Sequence, residues 1–173
     1  MHGYIDHIVP DRLTGRAGAI HNISRISTKD ETMADVLKNV ALDLFNSWRV
    51  SYDEALKGFD RTFAADNVWV NEPLMTTHGP EGAKEIWRLC KEMQGLETLH
   101  VDIHHIWENG RFVIIERVDK VYRADGTLVH GFPLVGVMRF NDDDKIEHWT
   151  EYFDAGAVHD SGLTLSSKDA KSS

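Results

Sequence analysis

The apolar positions of the chain fall into two regimes. Met33, Val36, Leu37, Val40, Ala41, Leu44, Phe45 and Trp48 recur at spacings of three and four, which predicts a long helix with one apolar stripe. Thr28-Lys29-Asp30-Glu31 precedes it as a capping box, in which the hydroxyl takes one free N–H and the carboxylate another. Ser51-Tyr52-Asp53-Glu54 repeats the box and opens a shorter helix with Ala55, Leu56, Phe59 and Phe63 on one side. Val68–Pro73 reads as a short strand stopped by proline. Gly79-Pro80-Glu81 has helix-start chemistry, Ala83, Ile86, Trp87, Cys90 and Met93 form a third stripe, and Gly95 is a natural stop. Beyond Gly95 the pattern changes to strands, at about 98–107, 111–123, 128–140 and 145–153. Asn109-Gly110, Asp125-Gly126 and Asn141-Asp142-Asp143-Asp144 separate them, and Asn-Gly and Asp-Gly tolerate the positive φ that tight hairpins require.

Three helices followed by a meander of long strands define an α+β protein. The expected architecture is a strongly curved antiparallel or mixed sheet wrapped around the helices, with a pocket for a small ligand between the two layers. The apolar outer face of that sheet, carrying Val135, Val137 or their alternates, calls for a partner. Residues 1–27 read as an N-terminal arm, 28–158 as the domain, and 159–173 as a polar, fraying tail.

Composition narrows the function classes. The 173 residues include 28 acids against 19 bases, a net charge of -9, which speaks against a nucleic-acid binder. No apolar run approaches the ~20 residues of a membrane span. One cysteine excludes a disulfide framework, and Met1–His21 lacks the apolar core of a secretory signal, so a cytoplasmic protein is expected.

Strand parity then selects the chemistry. Ile115, Arg117, Asp119 and Val121 share one face of their strand, while Ile114, Glu116, Val118, Lys120 and Tyr122 share the other. Trp149, Glu151 and Phe153 go together on the last strand, as do Trp69 and Asn71 on the first. If the aromatic and aliphatic members mark the inside, Arg117, Asp119, Glu151 and Asn71 lie inside with them. One consequence is a buried ion-pair network that pins the sheet. The other is a pair of carboxylates bridged by one guanidinium, whose pKa values are driven apart so that one is an acid and one a base.

Val70-Asn71-Glu72-Pro73-Leu74, Glu116-Arg117-Val118-Asp119 and Trp149-Thr150-Glu151-Tyr152-Phe153-Asp154 stand in the order and spacing of a known family. The chain resembles, over residues 30–156, the limonene-1,2-epoxide hydrolase family, within the SnoaL-like branch of the nuclear-transport-factor-2-like superfamily. The resemblance implies a cone-shaped fold and the one-step hydrolysis of an epoxide to a vicinal diol without cofactor. It also implies Glu151 as general base, Asp119 as the acid that protonates the epoxide oxygen, Arg117 between them, and Asn71 holding the nucleophilic water. Members usually pair through the outer sheet face, which implies a homodimer, with a trimer as the alternative.

Two departures separate this chain from the family: Glu151 stands where the family has Asp, and Trp69 where it has Tyr. An indole only donates, so a water anchored by base, Asn and Tyr loses one anchor. The second reading is therefore a SnoaL-like lyase, dehydratase or isomerase, for example eliminating water or formaldehyde from an aryl-alkyl diol such as a lignin-derived diarylpropane. A third is a non-catalytic ligand-binding module. Trp69, Trp87, Trp149, His105 and Phe153 are the candidate substrate-binding residues, suited to a small hydrophobic or aromatic molecule. His78 and His130 are further residues for the pocket wall or its mouth. No metal is expected: His100, Asp102 and His104 share a strand face, but the two histidines lie ~13 Å apart, too far for one ion. Cys90 follows its helix stripe and reads as core.

Overall fold

The computed structural model describes residues 28–72, 75–154 and 156. The expected arm 1–27, the tail 159–173, Pro73-Leu74 and the side chains of the Thr28–Glu31 capping box lie outside the described residues.

Helix α1 (Thr28–Val50) buries Leu37, Ala41, Leu44, Phe45 and Trp48 of the stripe that its spacing predicts, with Val40 partly buried, while Val36 of the same stripe is exposed. α2 (Tyr52–Thr62) starts at Ser51, whose hydroxyl accepts from Glu54 N at 3.2 Å. The reciprocal half of that capping box is replaced, because the Glu54 carboxylate takes Lys57 and Arg61 instead. Phe63 does not continue the helix. It is extended, at φ −84° and ψ 145°, and begins β1 (Phe63–Glu72) five residues before the expected strand, paired with Ile146. β2 (Met75–His78), absent from the sequence reading, alternates buried and exposed residues and pairs antiparallel with β1. α3 (Gly79–Gln94) carries Pro80 in its first turn and ends where Gly95 turns left-handed at φ 77°, its N–H returning to Lys91 O.

Four strands follow: β3 (Thr98–Asn109), β4 (Phe112–Tyr122), β5 (Leu128–Phe140) and β6 (Ile146–Phe153). Their hairpin turns fall at the expected places, with Gly110 and Gly126 at positive φ. The six strands form one curved sheet in the order β2-β1-β6-β5-β4-β3. β3 to β6 is an antiparallel meander, and β1 joins β6 in parallel, which makes the sheet mixed. α1 packs on α2 and β3, and α3 packs on β1. The core between the layers is aromatic: Trp48, Trp149 and Trp69 stack with centroid spacings of 5.9 and 4.9 Å.

Candidate active site

On β4 the burial alternates without a break, and Val113, Ile115, Arg117, Asp119 and Val121 point inward. That resolves the parity left open by the aliphatic residues on both faces. On β6, Trp149, Glu151 and Phe153 face the same interior. The parallel register sets Asn71 of β1 beside Glu151 and Trp69 beside Trp149.

Arg117, 1% exposed, joins the two acids. Its Nε donates to Asp119 Oδ1 at 2.9 Å and its Nη2 to Asp119 Oδ2 at 3.1 Å. The same Nη2 donates to Glu151 Oε1. The guanidinium lies against Phe45 and Trp149, 4.9 and 5.3 Å from their ring centres. Glu151 Oε2 accepts from Trp69 Nε1 at 3.1 Å. In the orientation that satisfies both ends of its amide, Asn71 donates from Nδ2 to Glu151 Oε2 at 2.7 Å, and its Oδ1 accepts from Trp69 Nε1 at 3.3 Å.

Arg117 reaches from β4 to β6 across β5, and the residue it crosses is Gly136, which pairs with Ile115 on one side and Glu151 on the other. A Cβ on Gly136 would stand 2.7 Å from Arg117 Nη1 and 2.8 Å from Trp149 Nε1. The missing side chain is the space through which the guanidinium spans two strands. The sequence reading passed over Gly136, although a glycine inside a strand signals a close approach of this kind.

The electrostatics follow from burial. Desolvation pushes the Asp119 carboxyl above its ordinary value, against the pull of Arg117. Desolvation likewise raises Glu151; Arg117 opposes this and Asp119 adds to it. Burial alone would lower Arg117, but the two carboxylates outweigh that and hold it charged. One cation with two carboxylates leaves a net negative charge in an apolar site, and one shared proton neutralises it. Among the described residues, Glu151 receives donors from Arg117, Trp69 and Asn71, whereas Asp119 receives Arg117 alone. Donors favour the ionised form and are more numerous on Glu151, while the charge of Asp119 pushes the Glu151 carboxyl the other way.

Both carboxylates open onto a partly open cavity of about 90 Å³. Trp69, Trp87, Phe153, Asn71 and His130 line it as the sequence suggested, and Gln94 and Phe132 line it as well. Trp149 is displaced from its expected place. It is fully buried between Trp48 and Trp69, and Trp48 takes the wall position instead. His105 is also corrected. A bulge between Ile103 and His105 reverses the parity of β3, so His105 emerges on the outer face, bound to Glu116 at 2.8 Å and stacked on Trp107. His78 is the exposed N-cap of α3 and does not line the cavity. Cys90 does reach the wall, but burial pushes its thiol up to about 12, which removes it as a nucleophile. Asp102 pairs with Lys120 on the outer face, and among the described residues no three His, Cys, Asp or Glu side chains gather to hold a metal ion.

Two carboxylates bridged by arginine at the wall of an aromatic cavity form an arrangement that can serve proton transfer at a small bound molecule. The limonene-1,2-epoxide hydrolase catalytic-domain pattern matches residues 47–162, and the chain belongs to that family. Solved structures share its fold. An LEH-like epoxide hydrolase of M. tuberculosis is 22% identical, with a TM-score of 0.60 over 77% of this chain and 93% of that one. A candidate SnoaL-like polyketide cyclase from Jannaschia sp. CCS1 is 14% identical, with a TM-score of 0.60 over 75% and 92%. A protein of ketosteroid isomerase-like fold from Catenulispora acidiphila DSM 44928, in complex with trimethylamine, is 20% identical, with a TM-score of 0.56 over 71% and 91%. No curated protein matches the chain by sequence.

Proposed function

We propose that the protein is a cofactor-independent acid/base hydrolase that opens a small epoxide to a vicinal diol. The observation that carries this reading is the buried Asp119–Arg117–Glu151 bridge, with both carboxylates on the cavity wall. Water, held by Asn71 and the free lone pair of Glu151, attacks one epoxide carbon. Glu151 takes the water proton as the C–O bond breaks, and Asp119 gives its proton to the departing oxygen. The product is the neutral diol, and the proton returns from Glu151 to Asp119 to reset the site. Arg117 holds the two acids in register and damps the change of charge at each. The cavity of about 90 Å³ is smaller than the ~150 Å³ that holds a benzene in a protein core, which favours a compact substrate over a diarylpropane.

One observation favours elimination as a second reading. Glu151 Oε2 already takes Trp69 and Asn71, so a water finds fewer open positions on this base than on one beside a tyrosine. Incubation with a panel of epoxides and aryl diols in ¹⁸O-labelled water separates the two. Label in the product supports hydrolysis; an unlabelled alkene, carbonyl or released formaldehyde overturns it in favour of a lyase.

The outer face of the sheet exposes Trp107, Phe112, Val135 and Tyr152, which lie on neighbouring strands. A second copy covering this face fits the homodimer, and sedimentation velocity with Tyr152→Glu tests it: the variant should sediment as a monomer. No described helix is long and apolar enough to cross a membrane. A cytoplasmic location remains part of the proposal.

A further inference from the structure

The cavity has a second polar end. Gln94, at the C-terminus of α3, and His130, on β5, line the same space as Asp119 and Glu151. Gln94 Nε2 lies 3.2 Å from His130 Nε2. An amide nitrogen only donates, so His130 Nε2 accepts, and the neutral ring then carries its proton on Nδ1. Burial holds His130 below its ordinary pKa, toward that neutral form. Phe132 stacks on the ring at 5.3 Å and fixes its plane. Nδ1 is buried, and among the described residues nothing accepts its proton. A buried donor without an acceptor is costly, and because His130 lines the cavity, a bound oxygen that reaches Nδ1 there would relieve it.

The register sets the distance to the acid and base. Asp119 pairs with Phe132, and His130 pairs with Val121. His130 therefore sits two residues, about 7 Å, along the strand from the level of Asp119.

We propose that His130, oriented by Gln94, is a substrate-binding subsite that receives a carbonyl or hydroxyl oxygen carried several atoms from the reacting carbon. The substrate class is then an oxygenated epoxide rather than a plain hydrocarbon one. The choice of the reacting end rests on the acid/base reading above. His130 touches no reacting atom, so its effect is on selection between substrates.

The test compares 5,6-epoxyhexan-2-one with 1,2-epoxyhexane, which share a chain length and differ by one carbonyl. The wild-type protein should favour the ketone by about 10-fold in kcat/KM, the scale of one hydrogen bond. In His130→Phe the ratio should fall to one or below. Gln94→Met, which removes the donor that sets the ring, carries the same expectation if the first variant does not fold. Binding of unreactive 2-hexanone, read by quenching of cavity tryptophans, separates this proposal from the proposed reaction. Tighter binding to wild type than to the variant, with neither epoxide turned over, supports the subsite and overturns only the hydrolysis. Equal kcat/KM for the two epoxides in wild type, a ratio that survives in the variant, or no binding of 2-hexanone to wild type overturns the subsite.

Discussion

Two aspartate–cation pairs involve strand β4, one on each face of the sheet. Inside, Asp119 is held by Arg117, both nearly fully buried. Outside, Lys120 of β4 holds Asp102 of β3, and both are solvated. The inner aspartate has its pKa raised, because desolvation outweighs the guanidinium. The outer one has it lowered, chiefly by the hydrogen bond from Lys120. The pairing is the same; the medium decides whether a carboxyl keeps a proton to give away. Charge alone therefore marks no site on this strand, and the face on which it lies does.

The largest expected effect is at the inner cation. Arg117→Met leaves two buried carboxylates without a counter-charge and should cost roughly 3–5 kcal/mol of stability. A urea titration checks this, and loss of less than about 1 kcal/mol would mean that the acids rest neutral without it. Next come the isosteric changes. Glu151→Gln and Asp119→Asn should each lower turnover at least ~100-fold with the fold retained, and the double variant should be little worse than either. Full activity in Glu151→Gln would end the catalytic reading. If the network is only structural, both variants instead lose stability. Gly136→Ala comes third: its methyl group collides with Arg117 Nη1 and Trp149 Nε1. Overpacking of this kind should cost about 1–3 kcal/mol, with a matching loss of turnover. The smallest effect is outside, where Asp102→Asn should leave turnover unchanged and the melting temperature nearly so.

A pH series sharpens the same contrast. A carboxyl whose folded pKa is raised binds its proton more tightly in the native state. Its contribution to stability is full below the unfolded value, 3.8 for Asp119, and declines as pH rises through the folded one. For Asp102 the sign reverses, and its contribution is lost as pH falls. Denaturant midpoints against pH should therefore decline less steeply on the alkaline side in Asp119→Asn than in wild type. Turnover should be bell-shaped, falling in acid as Glu151 gains a proton and in base as Asp119 loses one.

Much of the site was legible because period two survives wherever a strand is regular. Arg117, Asp119, Glu151, Asn71 and Trp69 follow from parity once one buried face is known. His105 was lost because a single bulge reverses the face of everything beyond it, and no residue type announces a bulge at His104. β2 is only four residues long, and Met-Thr-Thr-His is too weak an alternation to read. Trp149 obeys parity but is overlaid by Trp48 and Trp69, and depth within a layer is invisible to a one-dimensional pattern. Gln94 and His130 come together from elements 36 residues apart, a contact that only the fold supplies.

The parallel seam between β1 and β6 also bears on how the chain folds. The meander β3–β6 can form by successive hairpins, each closing a short loop. The Trp69–Glu151 contact spans 82 residues and must wait for a much larger closure. Glu151 belongs to the meander, but its partners Trp69 and Asn71 arrive only with that seam. A chain that has collapsed around its hairpins brings Arg117 to Glu151 without Trp69 and Asn71. Completion of the Glu151 surroundings and the last, most non-local step of folding thus coincide.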